Sequence, residues 1–147
     1  MKADPKPTDS SSTSVFDLLG DKWTLVILRD LLFEGKHTFT EFKASAEKIA
    51  SNILTSRLKM LDAEGFVIKT ASTSNKVKYQ YSLTDKAIDL LPVFLALFSW
   101  AEKHSEEDGY NNAAYQQLKG SDQASIKTFI RKLRKRRDTE LGINPGK

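Results

Sequence analysis

The chain of 147 residues contains no cysteine and only two histidines, His37 and His104. Without cysteine it has no disulfide, no thiolate zinc site, no iron–sulfur cluster and no cysteine redox switch. The two histidines are far apart in the sequence and lack the spacing of metal ligands. We therefore expect neither a metal nor another cofactor.

Signal-peptide features and long apolar runs are also absent. Residues 1–14 contain Pro5, Pro7 and a Ser/Thr cluster without an apolar core, so we expect a flexible arm rather than an export signal. The most apolar stretch, residues 90–101, is interrupted by Pro92 and Ser99, and it is too short to span roughly 30 Å of hydrocarbon. We expect a buried helix there, in a cytoplasmic protein with no membrane partner.

Charge is unevenly distributed along the chain. Residues 51–83 carry five basic and two acidic side chains, and residues 108–147 carry nine and four, whereas residues 14–50 and 84–107 have an acidic excess. Such basic segments suit a polyanion such as nucleic acid. With 39% apolar residues, the chain can build a core. We expect one domain over residues 15–107 and a basic helical extension over residues 108–147.

The first part of this domain has the spacing of helices. Apolar residues recur at helical intervals between Phe16 and Phe33, with an interruption near Gly20. Thr38 and Glu41 match a capping box, in which each side chain bonds the other residue's backbone amide, and this predicts the start of a short second helix. The side chains expected to point inward from the second helix are Phe39, Phe42 and Ala46.

The stretch SNILTSRLKML, residues 51–61, predicts a third helix with two different faces. Leu54, Leu58 and Leu61 recur at the spacing of a stripe that packs on a core. The opposite face carries mainly short hydrogen-bonding side chains, where most solvated helices carry glutamate and lysine. These side chains are Asn52, Thr55, Ser56 and Lys59. We expect Gly65 to end this helix.

Two strands and a long helix complete the predicted domain. The segments FVIKTAS and VKYQYSL are rich in β-branched and aromatic residues and are joined by a polar turn, which predicts an antiparallel ribbon. Thr84 is the expected N-cap of a fourth helix that reaches His104. Because that helix is apolar on nearly every side between Leu90 and Ala101, we expect a partner subunit to cover part of it.

This order of elements is typical of a winged helix-turn-helix domain, a mainly α fold with a small β-ribbon. In such a domain the third helix enters the major groove, where asparagine can pair with adenine and lysine favours guanine. We interpret Arg57, at the edge of the apolar face, first as an ion-pairing residue and second as a DNA contact.

The DNA contacts that this fold predicts fall into three groups. The expected contacts of the recognition helix are Ser51, Asn52, Thr55, Ser56 and Lys59. The expected contacts of the wing are Ser74, Asn75, Lys76 and Lys78. The expected contacts with the DNA backbone are Thr38, Thr40 and Lys43.

Two other functions compete with sequence-specific DNA binding. A winged-helix domain can act as a protein–protein interaction module, in which case the polar stripe is ordinary surface and the extension is a docking arm. An enzyme is the third hypothesis, but the chain has no nucleophile-elbow pattern and no phosphate-binding glycine loop. We therefore favour a non-enzymatic DNA-binding protein.

Three ordered motifs resemble the HxlR-type winged helix-turn-helix transcriptional regulators. DLLGDKWTLVILRDLL is similar to the family's opening Asp-Leu-Ile-Gly-Gly-Lys-Trp-Thr-Leu run, with Asp21 in place of the second glycine. ILTSRLKMLDAEGFV resembles the family's recognition helix and the entry to its wing. YSLTDKAIDLLPVFLALFSWAEKH resembles its last strand and its long helix. The resemblance covers about residues 15–104.

The resemblance implies a bacterial homodimeric repressor or activator that binds a pseudo-palindromic site on double-stranded DNA. Its first helix and its long C-terminal dimerisation helix are expected to form the interface, through Phe16, Leu19, Trp23, Leu91, Phe94, Leu95, Phe98 and Trp100. Many relatives sense aldehydes, quinones or oxidants through a cysteine shortly before the first helix. Ser10 stands near that place here, so any small-molecule effector must act without thiol chemistry.

Overall fold

Helices dominate the fold, and a two-stranded ribbon accompanies them. The computed structural model describes residues 11–72 and 78–143, with side chains from residue 14 onward. Within these ranges the chain first forms α1 (Ser11–Leu19), α2 (Lys22–Phe33), α3 (Phe39–Lys43), α4 (Ser51–Ala63) and β1 (Val67–Ala71). It continues with β2 (Tyr79–Leu83), α5 (Asp85–Ile88), α6 (Leu91–His104), α7 (Ala113–Leu118) and α8 (Gln123–Glu140). The predicted class, mainly α with a small β-ribbon, is confirmed.

The predicted interruption near Gly20 separates α1 from α2. The Gly20 amide donates to the Phe16 carbonyl oxygen over 2.8 Å, and a Cβ on Gly20 would lie 2.4 Å from that oxygen. Only glycine fits so close an approach. α1 already begins at Ser11, so the last four residues of the predicted arm are helical. Residues 1–10 lie outside the described part of the chain.

The start of α3 and both ends of α4 agree with the prediction. Thr38 and Glu41 form the capping box at the start of α3. α4 begins at Ser51, and Gly65 follows it with a φ of 78°. Such a left-handed conformation suits glycine at the end of a helix.

Fewer side chains of the second helix, α3, point inward than predicted. Phe42 is buried, but Phe39 is 36% exposed, and Ala46 is exposed in the turn after the helix. Because α3 spans only five residues, a single aromatic side chain on its inner face reaches the core.

The two strands pair antiparallel, as predicted, with Val67 opposite Leu83. The loop before α3 joins the ribbon, because the Tyr81 amide donates to the carbonyl oxygen of His37 over 2.8 Å. Ser82, a polar residue in the second strand, is only 1% exposed. α8 covers it, and its hydroxyl donates to Glu140 Oε2 over 2.9 Å.

The predicted fourth helix is in fact two helices. Thr84 caps α5 by accepting a hydrogen bond from the Ala87 amide, but α5 ends at Ile88 and α6 begins at Leu91. Pro92 has no amide hydrogen to bond the carbonyl four residues earlier, and it is tolerated in the first turn of a helix. The chain therefore starts a new helix at this proline, and α6 then reaches His104 as expected.

One apolar core joins the winged-helix elements to the C-terminal helices. Tyr115 and Leu118 of α7 and Leu133 of α8 are at most 5% exposed and belong to the same buried cluster as the side chains of α2 and α4. The extension after residue 107 is thus packed on the domain. The predicted boundary between the two, at residues 107 and 108, stays a prediction. Other members of the cluster are Ile27, Leu28, Leu31, Phe42, Ile49, Leu54, Leu58, Leu61 and Ile88.

Candidate nucleic-acid interface

α4 presents a polar stripe to solvent and buries its opposite face. Leu54, Leu58 and Leu61 are at most 2% exposed, and the helix packs against α2, α3 and β1. The five side chains predicted to contact bases are all exposed: Ser51, Asn52, Thr55, Ser56 and Lys59. The fold thus gathers them on one accessible helix surface.

The side chains of this stripe differ in how many of their polar groups are free. Thr55 Oγ1 donates to the Ser51 carbonyl oxygen over 2.9 Å, so only its lone pairs remain. Ser56 Oγ accepts a long hydrogen bond of 3.4 Å from Arg57. The side chains of Asn52 and Lys59 make no hydrogen bond or ion pair within the described ranges. These two side chains therefore keep their full capacity for an external partner.

Arg57 anchors α4 to the start of α2. Its Nε lies 2.8 Å from Asp21 Oδ2, and its Nη2 lies 3.1 Å from Oδ1, which confirms the ion-pairing interpretation. Asp21 also caps α2, because its carboxylate accepts hydrogen bonds from the amide and the hydroxyl of Thr24, both at 2.9 Å. The Arg57 guanidinium, together with these bonds, holds the pKa of Asp21 well below its usual range.

A charge network fixes the turn between α3 and α4. The buried Asp30 accepts from Arg29 Nη2 over 2.8 Å and from the hydroxyl of Ser45. Arg29 also donates to both oxygens of Glu47, at 2.6 and 2.9 Å, and this lowers the pKa of Glu47 to about 2. Because Arg29 and Asp30 belong to α2 and the other two residues to the turn, the network holds the turn against α2.

The structure corrects one of the three predicted backbone contacts. Thr38 is only 8% exposed, and its hydroxyl donates to Glu41 Oε1 and accepts from the Glu41 amide. The capping box occupies that hydroxyl, so Thr38 has none to offer a phosphate. Lys43 Nζ donates to the Ile49 carbonyl oxygen over 2.7 Å, which leaves two of its N–H groups available. Thr40 is exposed.

The wing lies only partly within the described residues. Lys78 is exposed, and its carbonyl oxygen accepts a hydrogen bond from the Ser72 amide over 2.9 Å beyond the last strand pair. The other predicted wing contacts fall within residues 73–77, outside the described ranges. They are Ser74, Asn75 and Lys76.

Two exposed side chains of the ribbon, Lys69 and Tyr79, were not among the predicted site residues. Lys69 Nζ lies 4.1 Å from the centre of the Tyr79 ring, and both side chains are exposed. Ala71 lies opposite Tyr79, so Lys69 is the diagonal neighbour of Tyr79 on the same face. A prediction of strand register would have found this pair. Phe39 and Lys59 line a groove of about 100 Å³ between α3, α4 and the ribbon.

The predicted dimer-interface residues divide into exposed and buried side chains. Leu91 is 0% and Phe94 is 3% exposed. Because both belong to this chain's own core, they have no surface to offer a partner, and we remove them from the interface. Phe16 and Trp100 are 68% and 65% exposed. The half-buried members are Leu19, Trp23, Leu95 and Phe98.

α6 also carries an exposed apolar stripe. Val93 and Leu97, which were not predicted, are 46% and 47% exposed. Together with Ala96 and Trp100 they line an open groove of about 480 Å³. An apolar patch of this kind is typical of a protein–protein interface.

Metal-binding clusters and membrane-spanning helices are both absent from the described residues. In residues 11–72 and 78–143, no group of histidine, aspartate and glutamate side chains is placed to hold a metal ion. No helix in the same part of the chain is long and apolar enough to cross a membrane.

Comparison with known proteins gives matches to bacterial regulators. The HxlR-like helix-turn-helix family model matches residues 18–109, from the end of α1 to beyond α6. YdeP and YodB of Bacillus subtilis, both named HTH-type transcriptional regulators, are each 32% identical over 93 residues. The matches cover 63% of this chain, 72% of YdeP and 82% of YodB.

Solved structures agree with the sequence matches. The reduced form of YodB from B. subtilis aligns with a TM-score of 0.56 at 30% identity, over 69% of this chain and 100% of that one. The redox regulator HypR in its reduced form gives 0.57 at 31% identity, over 66% and 95% of the two chains. YodB has also been solved in a quinone-bound form. The chain described here belongs to the HxlR-like helix-turn-helix family of DNA-binding transcriptional regulators.

Proposed function

We propose that the chain works as a homodimer that recognises a pseudo-palindromic operator, with one α4 in the major groove of each half-site. The observation that carries this proposal is the exposed stripe on α4, where Asn52 and Lys59 keep all their donors. Asparagine suits adenine N6 and N7, and lysine suits guanine O6 and N7. The other side chains that meet base edges are Ser51, Thr55 and Ser56.

Phosphate contacts on either side of α4 orient the helix in the groove. Thr40 and Lys43 lie on α3, before the turn that the Arg29 network holds in place. Lys69 and Lys78 lie on or beside the ribbon, and both are exposed. Contacts of this kind position a protein on the duplex without reading its sequence. From the sequence we assign Ser74, Asn75 and Lys76 to the same role at the wing.

The dimer interface is formed by the apolar surface of α6 together with α1. Val93, Leu97 and Trp100 are exposed on α6, and Phe16 is exposed on α1. Burying apolar side chains of this size stabilises association by roughly 25 cal/mol for each Å² removed from water. A second copy of the chain is the partner that gives the two-fold symmetry of a pseudo-palindromic site.

Selection from random DNA duplexes, followed by sequencing, tests this function. The bound pool should yield two inverted half-sites with centres roughly 10–10.5 base pairs, or a multiple of that, apart. Analytical ultracentrifugation should give a mass twice the 16.6 kDa of the chain. A bound pool without a motif, together with a stable protein partner from pull-downs, would favour the interaction-module hypothesis.

A further inference from the structure

α8 carries more positive charge than its packing requires. Its 18 residues include seven basic and two acidic side chains. Arg134 and Arg137 face α5, with nitrogens 3.4 and 2.8 Å from Asp85 Oδ1. Arg136 reaches Glu140 at 3.6 Å. The cations that have no carboxylate partner among the described residues are Lys127, Arg131, Lys132 and Lys135.

The C-terminal end of α8 lies beside the segment that leads into α3. Arg136 Nη1 is 3.5 Å from the position that a Cβ on Gly35 would take, and Arg136 lines one cleft with His37. The hydrogen bond from Ser82 to Glu140 holds the same end of α8 on the ribbon. The C-terminal end of α8 therefore contacts the segment that leads into α3 and the second strand of the ribbon.

The two flanks of α8 face different surroundings. Lys132 lies one turn before Arg136 on the same flank, where it lines a groove between α7 and the first half of α8. Arg134 lies on the flank that faces α5. Lys127 lies five residues before Lys132, and Arg131 lies five residues before Arg136. At about 100° per residue, each is about 140° around the helix from the later residue. α8 therefore carries two pairs of cationic side chains that point in different directions. One pair is Lys132 with Arg136, and the other is Lys127 with Arg131.

We propose that the flank of α8 with Lys132 and Arg136 binds the phosphate backbone of duplex DNA just outside the half-site read by α4. This inference rests on the proposed function of α4. Phosphate is the partner because exposed lysine and arginine side chains that project from one helix flank suit a line of negative charges. Since the family match ends at residue 109, this contact belongs to the chain's own extension.

The test uses two duplexes with the same selected operator. One ends at the outer base pairs of the operator, and the other adds about ten base pairs of scrambled sequence on each side, roughly one helical turn. Fluorescence anisotropy at roughly 50–200 mM KCl gives the dissociation constants and their dependence on salt. The wild-type dimer should show a steeper log–log slope on the longer duplex, by about 0.9 for each added phosphate contact and thus about 3.6 for two contacts from each of its two subunits.

Two double variants locate the contact. Lys132→Gln with Arg136→Gln should remove the difference between the duplexes and leave binding to the shorter duplex unchanged. The matched control, Lys127→Gln with Arg131→Gln, removes as much charge from another flank and should keep the difference. Equal wild-type slopes on the two duplexes, or the same loss in both double variants, would overturn the inference.

The comparison of wild-type slopes needs no variant, so equal slopes would overturn the inference even if a substitution impairs folding. Failure to select any operator would overturn the proposed function itself. A selected operator with no effect of flanking DNA would overturn only the role of α8.

Discussion

Arg57 on α4 and Asp21 at the start of α2 form a two-point ion pair, with N–O distances of 2.8 and 3.1 Å. The same carboxylate caps α2 through Thr24. One side chain therefore defines where α2 begins and ties it to α4. The aspartate in place of the second glycine of the family's opening motif is thus a structural residue in this chain.

This double role predicts that Asp21→Ala destabilises the protein more than Asp21→Asn. Asparagine keeps an acceptor for the helix cap and loses the charge, whereas alanine loses both. A cap contributes about 0.5–2 kcal/mol, and a partly exposed ion pair about 0.2–1 kcal/mol. Urea denaturation should show a loss of about 1–2 kcal/mol in the free energy of unfolding for Asp21→Ala.

Arg57→Gln completes a double-mutant cycle for this pair. Once Arg57 is replaced, Asp21→Asn should have little further effect, because its only loss is the ion pair. Simple addition of the two single effects would show that the pair does not contribute to holding α4.

Gly20→Ala should disturb the junction of α1 and α2. The new Cβ would lie 2.4 Å from the Phe16 carbonyl oxygen. Because this oxygen belongs to the backbone of α1, it can move away only if α1 shifts relative to α2. We expect a loss of about 1–3 kcal/mol in the free energy of unfolding, as for other overpacked sites. Gly109→Ala is the control, because its Cβ meets only the flexible side chain of Glu102. Equal stability of the two variants would contradict the close approach at Gly20.

The ion pair between Glu47 and Arg29 predicts a specific loss of stability in acid. The pKa of Glu47 is lowered from 4.5 to about 2 by the Arg29 guanidinium. A carboxylate whose pKa is depressed in the folded protein contributes its full stability above about pH 4.5 and loses it as the pH falls to about 2. Glu47→Gln should therefore be less stable than wild type at pH 7 and less sensitive to pH across this interval.

Urea denaturation at several pH values between about 2 and 7 checks this behaviour. Glu106→Gln, at an exposed position, should keep the wild-type pH dependence. An unchanged pH dependence in Glu47→Gln would show that the pair does not stabilise the turn before α4.

The interface proposal predicts that Leu97→Glu separates the dimer into folded monomers. Leu97 is 47% exposed and lies in the apolar groove of α6, so the core does not depend on it. A carboxylate buried there without a partner disfavours association strongly. Ile143→Glu is a matched control, since Ile143 is 51% exposed outside the groove. A Leu97→Glu protein that still sediments as a dimer would exclude this groove from the interface.

Local features of the fold were predictable from the sequence, and long-range contacts were not. The Thr38 and Glu41 capping box joins residues three positions apart, so its pattern is readable in a short window. The burial of Ser82 depends on Glu140, which lies 58 residues later. Likewise, an apolar helix such as α6 does not show from its sequence that Phe94 faces the chain's own core.

The candidate site was predictable as far as it lies on one helix. The apolar period of α4 determines which side is exposed, and all five predicted side chains are on that side. Lys69 and Tyr79 were missed because their contact depends on the register of two strands. Thr38 was assigned twice, to the cap and to phosphate, and the structure shows that the cap occupies its hydroxyl.

The binding profile of Asn52→Ala tests the central claim, that the exposed face of α4 reads base pairs, most directly. Affinity is measured by fluorescence anisotropy for duplexes in which each base pair of the selected operator is substituted in turn. Asn52→Ala should lose about 1–3 kcal/mol of binding and its preference at one base pair of each half-site. Asn111→Ala, an exposed asparagine outside α4, should keep the wild-type profile. A wild-type profile in Asn52→Ala would contradict the account.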